Sequence, residues 1–186
     1  MQETELVQRL RQKDEAAFKW LVEAFRNKVY STALNILQDT ADAEDSAQEV
    51  FIQVYESIHA FNQQSSLSTW IYRIAVRKAL DKLRKRRTRA QLGKILPWWM
   101  PDERKSTEVD SYHPGITFEN KQKAAILFKA IRALPEKQQV AFTLVKVQNM
   151  KYEEVSAIMQ QSIKAVESLI SRAKQNLQTQ LQKIST

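Results

Sequence analysis

Residues 69 to 87 read TWIYRIAVRKALDKLRKRR, and this stretch decides the fold class. At 3.6 residues per turn Tyr72, Val76, Ala79, Leu80 and Leu83 fall on one stripe, so the segment is an amphipathic helix with a buried face. Its cations take the flanks: Arg73, Arg77 and Arg84 on one, Lys78, Lys82 and Lys85 on the other. Between Arg73 and Lys94 ten cations stand against the single acid Asp81, a local charge of +9 that accounts for the whole formal net charge of +8. Cations held in rows on a rigid element match a phosphate backbone, and each phosphate neutralised steepens the salt dependence of binding by about 0.9 log units per log unit of salt. A solvated basic face is the plainer alternative.

Working outward, the segment just before this helix holds Phe61, the polar loop NQQSSLS at 62–68 and Trp70. Aromatic rings beside short hydrogen-bonding side chains suit unstacked single-stranded bases, although Phe61 and Trp70 also fit as plain core residues. Further upstream, DAEDSAQEVF at 42–51 places four carboxylates among ten residues of a basic chain. Read as a helix from Ala43, it buries Ala43, Ala47, Val50, Val54 and Ile58 and exposes Asp45, Gln48, Glu49, Ile52 and Glu56. An acidic surface around an apolar Ile52 is a poor partner for nucleic acid and a good one for a basic protein; an ordinary solvated face is the alternative. Before it, Asp14 caps a helix whose Phe18, Leu21, Val22, Phe25, Val29 and Ala33 form an apolar stripe.

Glycine and proline are rare enough to act as punctuation. Both glycines, Gly93 and Gly115, and three of the four prolines, Pro97, Pro101 and Pro114, lie between residues 93 and 115. Helical periodicity fills the chain on either side and no strand is required. The expected fold is therefore all-α: a helical domain over 1–87, a flexible linker over 88–117 and a second helical domain over 118–186. In the second, helices are expected at about 119–134, 136–148 after Pro135, 152–160 and 163–183. YEEVSAIM, QQS and the following segment have helix-turn-helix spacing, with Ser162 as cap and Val166, Ile170, Ala173, Leu177 and Leu181 buried. The exposed face carries Lys164, Ser168, Ser171, Arg172 and Gln175, side chains able to meet phosphates and base edges in a major groove. Helical hairpins that bind nothing are also common.

Composition narrows the classes. The 186 residues contain 43% hydrophobic and 27% charged residues, as in a folded soluble protein, and no cysteine, which excludes disulfides and thiolate metal sites. His59 and His113 lie far apart, and neither a phosphate-cradling glycine loop nor a nucleophile beside a base is present, so no catalytic residue, metal or cofactor is expected. The sequence has neither a membrane-spanning apolar run nor a signal peptide, and a cytoplasmic protein without membrane insertion is expected.

The order acidic helix, polar loop, basic helix, linker and helix-turn-helix resembles the extracytoplasmic-function (ECF, group IV) sigma factors of bacterial RNA polymerase. The matching segments are DEAAFKWLVEAF at 14–25, DAEDSAQEVFIQVY at 42–55, LSTWIYRIAVRKALDKLRKR at 67–86, ALPEKQQVAFTLV at 133–145 and YEEVSAIMQQSIKAVESLISRAKQNL at 152–177. The resemblance implies a sigma-2-like bundle and a sigma-4-like helix-turn-helix domain. It implies that Asp45, Gln48, Glu49 and Ile52 dock on a basic coiled-coil of the largest subunit of core RNA polymerase. It also implies that Phe61, Asn62, Ser65, Ser66, Trp70, Arg73, Arg77, Arg84 and Lys85 open the minus-10 element and hold its non-template strand. Lys164, Ser168, Ser171, Arg172 and Gln175 would read the minus-35 element, and Asp102, Glu103, Glu108 and Asp110 would meet the polymerase channels. Promoter DNA and an anti-sigma factor are the further partners implied, with Trp98 and Trp99 as an inter-domain contact or a regulator's patch. The sequence departs from the family at Arg77, where asparagine is common, at Gln160, where the turn glycine usually stands, and at Lys164, Ala165 and Glu167. The function implied is promoter-specific initiation without catalysis. The alternatives are a stand-alone helix-turn-helix DNA-binding regulator and a helical module that sequesters a partner.

Overall fold

A computed structural model describes the backbone of residues 2–92 and 118–184 and the side chains of 2–89 and 124–182; the expectations on Trp98, Trp99, Asp102, Glu103, Glu108 and Asp110 lie outside them. The described residues form eight helices and no strand. They are α1 (Glu3–Arg11), α2 (Glu15–Leu37), α3 (Thr40–Ser57), α4 (Leu67–Leu92), α5 (Phe118–Arg132), α6 (Glu136–Phe142), α7 (Tyr152–Met159) and α8 (Ile163–Ile184). The architecture is all-α, as the periodicity requires. Helix α4 runs on to Leu92, past the boundary at 87 drawn from sequence.

Helices α2, α3, α4 and α8 start where a side chain satisfies a free amide. Asp14 accepts from the Ala17 amide at 3.1 Å, Asp39 from Asp42 at 2.9 Å and Ser162 from Ala165 at 3.2 Å. Ser66 caps α4 through the Thr69 amide at 3.1 Å. The Asp39 cap starts α3 three residues before Ala43. Helix α1, which the sequence reading did not separate, buries Leu6, Val7 and Leu10 and so joins the first core.

That core is built by α1–α4 around Leu21, Val50, Val54, Phe61, Ile71 and Ala75. A second core is shared between the two halves of the chain: Ala33, Ile36, Leu37, Ala79 and Leu83 from α2 and α4 belong to one cluster with Val140, Leu144, Val155, Val166 and Ile170. The apolar stripes of α2 and α4 outrun the first bundle, and the second helix group covers what remains. Where a helix to residue 148 is expected, α6 gives way to a π-turn at Thr143–Val147, which keeps Leu144 and Val145 buried.

Gln160, at the turn of the helix-turn-helix, has φ 53° and ψ 44°, the left-handed conformation that favours glycine. Gln160→Gly removes a Cβ penalty of about 1–2 kcal/mol and adds about 0.4–1 kcal/mol of unfolded-state entropy. The expected net is about 0.5–1 kcal/mol of added stability, measured as a denaturant midpoint shifted upward at unchanged m-value.

Candidate functional site

Three surfaces carry the residues singled out from sequence. On α3, Asp45, Gln48, Glu49 and Ile52 are all exposed while Ala43, Val50 and Val54 are wholly buried, so the helical wheel divides the faces correctly. Ile52 is 57% exposed, an apolar side chain left in water among carboxylates. The same carboxylates face α4. Lys78 Nζ lies 3.5 Å from Glu49, and Lys82 Nζ lies 3.2 Å from Asp45 and 3.5 Å from Asp42. Arg86 Nη1 reaches Asp42 at 3.4 Å and Asp39 at 3.8 Å. The sequence signal for this ladder is the i, i+4, i+8 series Lys78, Lys82, Arg86, which matches the acidic spacing of α3. The basic flank of α4 is therefore partly neutralised within the chain.

The loop between α3 and α4 is braced from below by α1. Glu3 Oε1 accepts from the Leu67 amide at 3.0 Å, and Arg11 Nη2 donates to the Phe61 carbonyl at 2.6 Å. Lys13 donates to the Tyr55 carbonyl while its ammonium sits 3.9 Å over the Tyr55 ring. Asn62 Oδ1 accepts from the Gln64 amide at 3.3 Å in a local turn that leaves Gln63 at φ 58°. Asn62 and Ser66 are exposed and Ser65 is half-buried, although Ser66 Oγ is occupied by its cap. Phe61 differs from the base-stacking expectation: it is 1% exposed, and its ring packs in the first core at 5.2 Å from Trp70. It supports Trp70, which is half-buried at the surface.

The remaining cations of the proposed minus-10 set divide in two. Arg77 and Lys85 are exposed. Arg73 donates from Nε and Nη2 to the Ala157 carbonyl of α7, at 3.0 and 2.8 Å. Arg84 meets the Glu136 carboxylate at the start of α6, with Nη2 to Oε2 at 2.7 Å and Nε to Oε1 at 3.2 Å, and reaches Asp81 at 3.3 Å. The Arg84 hydrogen bonds hold the Glu136 carboxyl below its ordinary range, against the opposing effect of its burial. Its proton affinity is lower folded than unfolded, so this contact stabilises fully above the ordinary carboxylate pKa and is lost as pH falls through the depressed one. Burial, then the Glu154 carboxylate, raises the Tyr72 phenol on the same side of α4.

On α8, Lys164, Ser168, Ser171, Arg172 and Gln175 are all exposed along one face, opposite the buried Val166, Ile170, Ala173 and Leu177. Ser156 Oγ donates to the Gln161 carbonyl at 2.6 Å and fixes the turn that sets α8 against α7. Among the described residues no group of His, Cys, Asp and Glu could hold a metal ion, and no helix is long and apolar enough to cross a membrane.

The two helix groups match known families. Residues 21–89 match the family Sigma-70 region 2, and residues 124–177 match Sigma-70, region 4. The ECF RNA polymerase sigma-E factor of Haemophilus influenzae is 32% identical over 95% of this chain and 94% of its own length. The RNA polymerase sigma-H factor of Pseudomonas aeruginosa is 29% identical over 97% and 94%. Among solved structures, the sigma factor RpoE in complex with the anti-sigma factor NepR from Bartonella quintana superposes with a TM-score of 0.65 at 22% identity, covering 89% of this chain and 96% of that one. CnrH in complex with the cytosolic domain of CnrY gives a TM-score of 0.67 at 19% identity, covering 97% of each. These two likenesses concern the fold.

Proposed function

This chain belongs to the extracytoplasmic-function sigma factors, and we propose that it meets core RNA polymerase through Asp45, Gln48, Glu49 and Ile52 of α3. As a sigma factor it binds core polymerase and directs promoter-specific initiation; the stand-alone regulator is not favoured. The family acts without catalysis, so no chemical step is assigned to any side chain, and we place the protein in the cytoplasm with its polymerase. The observation that carries the docking assignment is the exposed acidic strip around Ile52 on a chain that is otherwise basic. Such a strip attracts a basic partner surface and gives it one apolar anchor.

The minus-10 strand is assigned to the loop of Asn62, Ser65 and Ser66, to Trp70 above the buried Phe61, and to Arg73, Arg77, Arg84 and Lys85. Stacking on a half-exposed ring and neutralised phosphates together offset the cost of unpairing. The minus-35 duplex is assigned to Lys164, Ser168, Ser171, Arg172 and Gln175 on α8, an element of the width and polarity that a major groove admits. We assign an anti-sigma factor as a further class of partner, supported by the complexes in which the two solved neighbours occur.

The test of this reading is transcription by bacterial core polymerase from a DNA pool with randomised upstream sequence. Added chain is expected to produce transcripts from an enriched subset of templates; a folded chain that binds core but yields none overturns it. Within that assay, Arg84→Ala with Lys85→Ala lowers promoter affinity and makes the plot of log affinity against log salt shallower by up to about 1.8. An unchanged slope removes both residues from the phosphate-contacting set.

A further inference from the structure

Lys13 stands in the turn between α1 and α2 at φ 60°, in the left-handed region that glycine and asparagine enter most readily. A lysine is penalised there by its Cβ, so the backbone gives no reason for this residue. The side chain does. It crosses from the turn to the last turn of α3, where it donates to the Tyr55 carbonyl and rests its ammonium 3.9 Å from the centre of the Tyr55 ring. Among the described residues Lys13 forms no ion pair, so its charge is committed to Tyr55. Phe18 of α2 meets the same ring edge-on, with centroids 5.1 Å apart. Tyr55 is thus held from two sides by residues outside α3, yet it stays 41% exposed. It lies one helical turn after Ile52, so the two apolar groups neighbour each other on the outer face of α3.

We propose that Lys13 is a positioning residue for polymerase docking: it clamps the Tyr55 ring beside Ile52 and so presents a second, preorganised apolar anchor to the partner. The inference rests on the docking reading of α3 given above. The partner it fits is a basic surface whose apolar side chains reach both Ile52 and Tyr55. An aromatic ring fixed before binding supplies contact area without the entropy cost of ordering a mobile side chain. The sign of the effect separates positioning from bare charge. As a cation at the edge of an acidic face, Lys13 opposes a basic partner, and its removal would strengthen docking. As the clamp on Tyr55, its removal frees the ring and weakens docking.

The test is a double-variant cycle read as affinity for core polymerase by fluorescence anisotropy, with urea unfolding of every variant alongside. Lys13→Asn removes the cation and keeps a residue that tolerates the left-handed backbone. It is expected to lower core affinity by about three- to tenfold, and Tyr55→Ala by about tenfold. Lys13→Gly, which the backbone permits equally, is measured beside it and is expected to give the same loss. In the Tyr55→Ala background neither change at position 13 weakens docking further. Lys13→Arg keeps a cation on the ring and is expected to stay within about twofold of the native chain. Unchanged or tighter binding by Lys13→Asn and Lys13→Gly overturns the proposal, as does an equal loss with and without the Tyr55 ring. A loss that follows a lowered urea midpoint and is not rescued by Lys13→Arg also overturns it, leaving Lys13 a role in the fold alone. The charge reversal Asp45→Lys with Glu49→Lys serves as the reference. If it leaves core affinity unchanged, the docking reading fails and this inference with it; if it loses affinity while Lys13→Asn keeps it, only the positioning role falls.

Discussion

Asp45→Lys with Glu49→Lys is expected to leave the chain folded and to lower its affinity for core RNA polymerase by about 100-fold or more. The two side chains are 67% and 51% exposed and, among the described residues, each pairs only with a lysine of α4, at 3.2 and 3.5 Å. Exposed pairs of that kind contribute about 0–1 kcal/mol each, so reversing both charges costs little of a total stability of about 5–15 kcal/mol. In the proposed interface the same carboxylates meet a basic surface with water excluded, and losing a charge pair there costs about 2–5 kcal/mol, which is the stated fold-change. Fluorescence anisotropy of labelled chain against core, with far-ultraviolet circular dichroism alongside, measures both halves of the statement. Adding Lys78→Glu separates two explanations. This change restores the pair between positions 49 and 78 inside the chain and leaves Lys82 beside Asp42, so it recovers stability lost at that pair without recovering core affinity. Affinity retained in the first double variant would remove α3 from the docking surface.

Local sequence carried much of this. The exposed and buried faces of α3 and α8 follow from periodicity, because a helix that packs on one side leaves an unambiguous stripe. The caps at Asp14 and Ser162 are legible for a similar reason: each satisfies amides within one turn of itself. What escaped depends on distant partners. Helix α1 has only Leu6, Val7 and Leu10 to declare it, and its Glu3 and Arg11 acquire their meaning from Leu67 and Phe61, more than 49 residues away along the chain. Phe61 and Trp70 look alike beside a polar loop, yet the fold buries the first and leaves the second half-exposed. Gln139 is the hardest to foresee, a polar residue in an amphipathic helix that lies wholly buried because a carbonyl of α2 stands opposite. The core shared between the two halves was illegible for that reason. The apolar stripes of α2 and α4 announce that something covers them, and nothing local says that the cover is the other half of the same chain.

Leu21→Ala and Ile52→Ala are expected to separate folding from docking. Leu21, in the second turn of α2, is wholly buried among Val50, Val54, Ile71 and the others of the first core. Truncating it removes most of a side chain from a packed interior and leaves a cavity that the surrounding helices cannot fully fill, at a cost of about 2–5 kcal/mol. For a chain of this length that lowers Tm by about 4–20 °C. Ile52 is 57% exposed, so Ile52→Ala changes stability by less than about 0.5 kcal/mol. Its effect belongs to the complex, where an apolar anchor among carboxylates is the side chain that a partner buries; the expected loss is about tenfold in core affinity. Differential scanning calorimetry and anisotropy on the two variants read both quantities. If Ile52→Ala lowers Tm as Leu21→Ala does, Ile52 is a packing residue; if it leaves both Tm and core affinity unchanged, the apolar centre of the acidic face takes no part in docking. A fall in affinity at constant Tm, beside a fall in Tm for Leu21→Ala, ties the two faces of one bundle to two separate tasks: the buried face specifies the fold, and the exposed face recruits the polymerase.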